Sequence, residues 1–369
     1  MTFSRSRFES PYMVYAKLHS AAKYNLATSG VRPLMMMHEL GARLEDIEIN
    51  GAAAYGYPAY QNRIAQHCGV APECVVPALG TSMANHLAMA ACFDPGDEVL
   101  VEYPTYEPML STAQFLGAQV IRFERPADDG YRIDVREIER VITPKTKLIA
   151  ICNLHNPTSA FTDEATLAKV GELARSVGAR VLVDEVYLEA MNPLPRTSFL
   201  LGNEFVVTSS LTKGYGLAGL RCGWILAEPD LARRIWKIYD VFAGHNPHPA
   251  EALALVAFDH INRIRGRAQR ILEGNRPLLI EFLRERCEWI HEIPEFGTCA
   301  APKLRRGTVE QLDKLLREKY ETSIVPGRFF EMPQHFRIGI GADPEMTREG
   351  FRRLAAALDE LESGDRAIG

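Results

Sequence analysis

The sequence has no C-x-x-C pair. Its seven cysteines (Cys68, Cys74, Cys92, Cys152, Cys222, Cys287 and Cys299) are odd in number and scattered over 369 residues. That pattern speaks against a disulfide framework or a zinc ribbon. It leads us to expect a reduced, cytoplasmic setting in which most thiols are small buried apolar groups. No apolar run approaches the roughly 20 residues of a spanning helix, so no membrane partner is expected. The opening "MTFSRSRFES" lacks the apolar centre of a secretory signal. A basic excess is also missing: 42 Lys and Arg face 47 Asp and Glu, a net charge of -5. Nucleic acid and acidic membrane surfaces are therefore not expected partners. There is no internal repeat and no low-complexity tract. What remains is ordinary globular composition, 47% apolar and 24% charged, in a chain long enough for two or three domain-sized units.

The middle of the chain alternates between two periods. "DEVLVEYP" reads as a buried strand and "TYEPMLSTAQFLG" as a helix ending at Gly117. "AQVIRFE" is strand, and "DVREIERVITP" is a helix capped by Asp134 and stopped by Pro144. "KLIAICN" is strand, "DEATLAKVGELARSVG" is helix closing at Gly178, and "RVLVDEVY" and "EFVVTSS" are strands. This rhythm, from about residue 50 to about 240, predicts an α/β fold with a mostly parallel sheet between helices. Beyond it, residues 250–289 read as nearly continuous helix, broken near Gly274 and Pro277. "HFRIGIG" then reads as strand and "TREGFRRLAAALDELE" as a final helix. The first 45 residues hold an amphipathic stretch and the irregular "YNLATSGVRPLMMMHEL", compatible with either unit. The expected division is 1–45, an N-terminal segment; 46–245, a large α/β domain; and 246–369, a small α+β domain.

Ligands of open α/β sheets bind at the carboxyl ends of the strands. Four successive ends carry polar or aromatic groups: Tyr103 and Tyr106; His155, Asn156 and Thr158; Asp184, Glu185 and Tyr187; Ser209, Ser210, Thr212 and Lys213. A lysine at such an end can lose its proton and form a Schiff base, although a lone lysine is more often a solvated surface group. Arg221, eight residues on, is a fork suited to phosphate. "GTSMANHLAMAA" opens a helix with a glycine and two hydroxyls, which could hold a phosphate through free N–H groups or simply cap the helix. Asp184 could partner a pyridinium nitrogen, or cap or pair with a cation. Tyr106 could stack on a flat ring, or simply pack.

With these pieces in order, the chain resembles the class I/II aminotransferases, pyridoxal-phosphate enzymes of fold type I. The matching segments are "YGYP", "GTSMA", "EYPTYEP", "NPTSA", "VDEVY", "SSLTKGYGLAGLRCGW", "PGRFF" and "HFRIGIG", over about residues 20 to 360. The resemblance implies a large domain with a seven-stranded sheet, and a smaller α+β domain built from the two chain ends. It implies an enzyme that moves an amino group between an α-amino acid and a 2-oxo acid. Lys213 would be the Schiff-base lysine and proton carrier, and Asp184 would pair with the pyridine nitrogen. Asn156 and Tyr187 would bind the cofactor's phenolic oxygen, and Tyr106 would stack on its ring. Gly80, Thr81, Ser82, Ser210, Thr212 and Arg221 would cradle the phosphate. Tyr55, with Tyr57 as its rival, would reach the phosphate of a partner subunit in a homodimer with shared sites. Arg337 would clamp the substrate's α-carboxylate, with Asn156, Ser29 and Gly30 beside the substrate. Ser159 stands where that family usually has glycine, and the family usually has another glycine near Tyr60, in the segment after "YGYP". No second arginine offers itself for a dicarboxylic substrate. His155 and His86 fall near the site, as supports of Asp184 or as packing.

Rival readings are weaker. Gly214 to Gly219 spells G-x-G-x-x-G with Asp240 about 20 residues on, as in nicotinamide-dependent oxidoreductases. That motif requires a helix after the glycines, whereas "LRCGWILAE" reads as strand and Asp240 falls in a helical stretch. His245 and His248 in "GHNPHP" lack further ligands at zinc spacing. Fold alone does not settle reaction type, so C–S β-elimination or another lyase or cyclising reaction on the same cofactor stays open.

Overall fold

Seven of the apolar runs pair into one sheet. In the computed structural model, which describes residues 5–51, 54–287, 293 and 295–366, its strands lie in a spatial order that departs from chain order. From one edge they are Val75–Leu79, Cys222–Leu226, Phe205–Ser210, Arg180–Asp184, Thr146–Cys152, Glu98–Tyr103 and Gln119–Glu124. The last five are mutually parallel. Cys222–Leu226 runs antiparallel to both its neighbours, so Val75–Leu79 points the same way as the parallel five. The central strands are buried on both faces, which is why they read as continuous apolar runs rather than as alternating ones.

Helices cover both faces. In Glu164–Val177, Leu167, Val170, Gly171 and Ala174 recur at helical spacing and face the sheet, while Asp163 caps the Thr166 N–H at 2.7 Å. Asp134 caps Val135–Val141 in the same way, through the Arg136 N–H. One core lies on each face of the sheet. A third combines Leu26 and Val31 with Leu272, Leu279, Leu312, Ile338 and Leu354. The first 45 residues are thus shared. Leu26 and Val31 join that third core, whereas Leu40 and Ala42 join a face of the large sheet.

The expected long helix breaks elsewhere. His248–Asp259 ends at His260, and Ile261–Arg286 then runs without interruption past Gly274 and Pro277. Proline inside a helix costs roughly 3 kcal/mol. Here the buried stripe of Leu272, Leu279, Phe282 and Leu283 offsets that loss. Asn275 Nδ2 adds bonds to the Ile340 and Ala342 carbonyls, both at 2.8 Å. The last two residues of the expected helix, Glu288 and Trp289, lie outside the described residues. Near the chain end Phe336–Gly339 pairs antiparallel with Cys299–Ala300 and Val325–Pro326.

Two features position the site. The segment through Ser29 is fastened on both sides. The Val31 N–H donates to the Lys213 carbonyl at 3.0 Å, and the Gly339 N–H donates to the Leu26 carbonyl at 2.7 Å. A Cβ on Gly339 would sit 1.8 Å from the Thr28 carbonyl oxygen, so only glycine permits this approach. Beneath the sheet edge, Arg125 and Glu102 form a fully buried pair at 2.7 Å. Arg125 also donates to the Tyr131 carbonyl at 2.6 Å, and Glu102 accepts the Cys152 N–H at 2.9 Å. Three strand ends are tied together there.

Candidate active site

Parallel strands bring their carboxyl ends to one edge of the sheet, and the predicted residues gather along it. Asp184 closes its strand fully inside the protein. Its Oδ1 accepts the Val186 N–H at 3.0 Å and its Oδ2 accepts Asn85 Nδ2 at 2.8 Å. Burial pushes its pKa up to about 6, against the pull of these two donors and of the Lys213 charge. Lys213 follows the strand Phe205–Ser210, and burial lowers the pKa of its amine. Its Nζ donates to Ser29 Oγ at 3.1 Å. The same Oγ accepts the Tyr187 hydroxyl at 2.8 Å, and Asn156 Nδ2 reaches that hydroxyl at 3.5 Å. Asn156 Oδ1 in turn accepts Arg337 Nη1 at 3.0 Å. Lys213, Ser29, Tyr187, Asn156 and Arg337 form one connected chain, drawn from five separate stretches of sequence. Gly30 lies against Lys213: a Cβ there would stand 3.3 Å from its backbone and side chain.

A second group forms at the same edge. Gly80 opens the helix Gly80–Cys92, followed by Thr81 and Ser82. Thr81 Oγ1 donates to Ser210 Oγ at 2.8 Å, and the Thr212 N–H reaches that Oγ at 3.3 Å. Because Cys222–Leu226 is antiparallel, its first residue returns to this edge, which brings Arg221 beside Gly80. A Cβ on Gly80 would meet Arg221 Nη2 at 2.4 Å, and Gly80 itself has φ +73°. Arg221 has φ +53° and an exposed side chain. Free helix N–H groups, hydroxyls and one guanidinium thus converge in an anion cradle.

Other predicted residues behave differently. Tyr106 is half-buried, edge-on to Tyr12 with ring centroids 5.3 Å apart. Tyr55 stands apart from the network, 55% exposed, with its ring against Trp236. Tyr57 packs its ring against His248. Neither histidine near the site supports Asp184. His155 bonds Thr158 Oγ1 at 2.7 Å and the Pro104 carbonyl at 3.0 Å, and burial keeps it neutral. His86 packs against Phe115 and Phe242. The support of Asp184 is Asn85, which the sequence reading missed. The available signal was a lone amide on the buried face of an alanine-rich helix. Tyr12 was missed too: its hydroxyl lies 3.1 Å from Arg337 Nη2, and nothing in "PYMVYAKL" marks it. The strand Cys222–Leu226 directly after the glycines removes the dinucleotide reading, and Asp240 sits within the helix Pro229–Phe242.

Fold and site together define a pyridoxal-phosphate-dependent enzyme of fold type I. The chain belongs to the aminotransferase class I and II family, whose model matches residues 43–358. An aspartate aminotransferase of Streptomyces avermitilis is 26% identical over 299 residues, covering 76% of this chain and 73% of that protein. Capreomycidine synthase of Streptomyces vinaceus is 28% identical over 293 residues, covering 78% and 74%. A PLP-dependent aminotransferase structure from Streptococcus suis 89-1591 superposes with a TM-score of 0.89 at 26% identity, over 96% of this chain and 98% of that one. This protein is an aminotransferase and pyridoxal phosphate is its cofactor. The residues present fit that group. The anion cradle and the buried carboxylate of Asp184 flank Lys213, whose depressed amine is suited to bind a carbonyl. Among the described residues no helix is long and apolar enough to cross a membrane.

Proposed function

We propose that Lys213 holds the cofactor covalently and carries the proton in transamination. The observation that supports this reading most strongly is the continuous chain from Lys213 Nζ through Ser29, Tyr187 and Asn156 to Arg337, with Asp184 close enough to Lys213 to feel its charge. When bound, pyridoxal phosphate supplies a ring that accepts electrons from the substrate's Cα. The chain's own residues do the rest. Gly80, Thr81, Ser82, Ser210, Thr212 and Arg221 hold the phosphate. Asp184, kept in place by Asn85, pairs with the ring nitrogen. Asn156 and Tyr187 hold the phenolic oxygen, and Tyr106 covers a ring face. With a substrate seated, the free Lys213 amine would take the proton from the substrate's Cα and hold it for return. Its lowered pKa keeps a share of the amine neutral and able to do so. Arg337, with Asn156, Ser29 and Gly30 around it, seats the α-carboxylate and so orients the Cα–H bond. Its Nε is buried with no partner, a donor in waiting.

The site is completed by a second copy of the chain in this reading. Tyr55, Val241 and Phe242 are large exposed apolar groups about the helix Pro229–Phe242. A homodimer would cover them and carry Tyr55 to the partner's phosphate. All seven cysteines are free thiols, which supports the cytoplasmic setting. Lys213→Ala is expected to abolish both the visible cofactor band and turnover; activity retained together with the band would sink the assignment. Screening amino acids against that band identifies the donor, and its restoration by a 2-oxo acid marks transamination. The likeness to capreomycidine synthase favours a second reading, a lyase or cyclising reaction on the same residues. Product released without any 2-oxo acid acceptor, the band intact after turnover, would mark that reaction.

A further inference from the structure

An arginine offers five N–H donors, and a carboxylate is gripped in two places only where two parallel ones are free. In Arg337 both Nη2 hydrogens are engaged, one by the Ala27 carbonyl at 2.9 Å and one by the Tyr12 hydroxyl at 3.1 Å. Nη1 gives one hydrogen to Asn156 Oδ1 at 3.0 Å. What is left is Nε–H, buried and unpartnered, and one Nη1–H. These two are not parallel, because every parallel pair of the guanidinium includes an Nη2 hydrogen. The fork therefore has no free pair of tines.

The missing donor stands next to it. Tyr12 is buried in the helix Pro11–Leu18, 7% exposed, edge-on to Tyr106. The hydrogen bond of its hydroxyl is one that it accepts from Arg337, so its own proton remains to be given. Burial would raise its pKa, but the charges of Arg337 and Lys213 outweigh that and polarise the O–H. The helix is held in place independently of the site. The hydroxyl of Tyr15, one turn on, lies 2.6 Å from Asp313 Oδ1 and 2.9 Å from the Ile324 carbonyl, two acceptors that share its one proton.

We propose that the Tyr12 hydroxyl is a substrate-binding donor, which completes with Arg337 a carboxylate clamp that the guanidinium alone cannot close. This rests on the reading of Arg337 as the seat of the α-carboxylate. The ligand it serves is an α-amino acid or 2-oxo acid with a free carboxylate. An amine that lacks the carboxylate gains nothing from it.

The test uses the holoenzyme and two amines that bear no Cα hydrogen to lose in the normal reaction or no carboxylate at all. 2-Methylalanine carries the carboxylate, and isopropylamine lacks it. Dissociation constants are read from the change in the cofactor band. Tyr12→Phe is expected to weaken 2-methylalanine by roughly tenfold or more, the worth of one hydrogen bond to a charged group, and to leave isopropylamine unchanged. With a reacting amino acid, KM should rise by a similar factor while kcat stays within about twofold. Equal weakening of both amines would reduce Tyr12 to packing, and unchanged or tighter 2-methylalanine binding would make it a bystander or a competitor. Each of these results overturns the proposal. Arg337→Gln is measured in parallel and should erase the preference for 2-methylalanine. If that preference survives, the seat itself is misplaced, whatever Tyr12 does.

Discussion

Glu185 follows Asp184 directly, and both carboxyls are buried. Glu185 Oε1 accepts the Ser198 N–H at 2.7 Å and the Ser198 hydroxyl at 2.6 Å, yet burial still pushes its pKa up to about 7. An acid whose folded pKa is raised takes up protons on folding between about pH 4 and 7. Its contribution to stability turns unfavourable as pH climbs through that window, and stays so above it. Glu185→Gln keeps the acceptor oxygen and removes the charge. It is expected to stabilise the protein by on the order of 2 kcal/mol at pH 8 and by little at pH 4. Thermal unfolding of both proteins at the two pH values checks this; an equal gain at both would show that the charge is not the cause. Asp184 shares the same burial, but Lys213 and Asn85 face it, and its carboxylate is the one proposed to meet the cofactor's ring nitrogen. Single residues were legible where a motif fixes their backbone. Lys213, Asp184, Asn156, Tyr187 and Arg221 all follow or precede a strand end. Asn85 and Tyr12 were not, because their partners, Asp184 and Arg337, lie 99 and 325 positions away.

Most strands of the large sheet could be read to within a few residues, because burial leaves runs rich in Val, Ile and Leu; Val75–Leu79, interrupted by Pro77, was not read. Helix ends were read where a punctuating residue marks them, as Asp134 and Gly178 do. What failed was the long helix. Its expected break rested on Gly274 and Pro277, local signals that tertiary anchoring by Asn275 overrides, while the true break at His260 carries no such signal. Sheet order was equally hidden: no local pattern says that Cys222–Leu226 turns back between two strands pointing the other way. At this scale the Arg125–Glu102 pair is the joint of the sheet edge, with both side chains fully buried. Removing one partner of such a pair leaves an uncompensated charge. Arg125→Ala is expected to cost about 3–5 kcal/mol in denaturant unfolding and to loosen the turn that carries Asn156. A loss under about 1 kcal/mol would mean that water or Thr162 replaces the guanidinium, and that the joint lies elsewhere.

Across the whole molecule, the chain's two ends build one core together: Leu26 and Val31 pack with residues from Leu272 to Leu358. The exposed Tyr55, Val241 and Phe242 lie away from it, around the helix Pro229–Phe242. Sedimentation is expected to give twice the chain mass at micromolar concentration, and Phe242→Glu to shift it toward the monomer with loss of cofactor affinity. A monomer that binds cofactor fully would count against shared sites. The segment from Leu26 to Val31 is bonded by its backbone to Lys213 on one side and to the strand of Arg337 on the other. If Lys213 and Arg337 have the proposed roles, this main-chain tie sets the spacing between the backbones that carry amine and carboxylate recognition. Lengthening a substrate between its two functional groups is then expected to be tolerated less than enlarging what hangs from the intervening carbon.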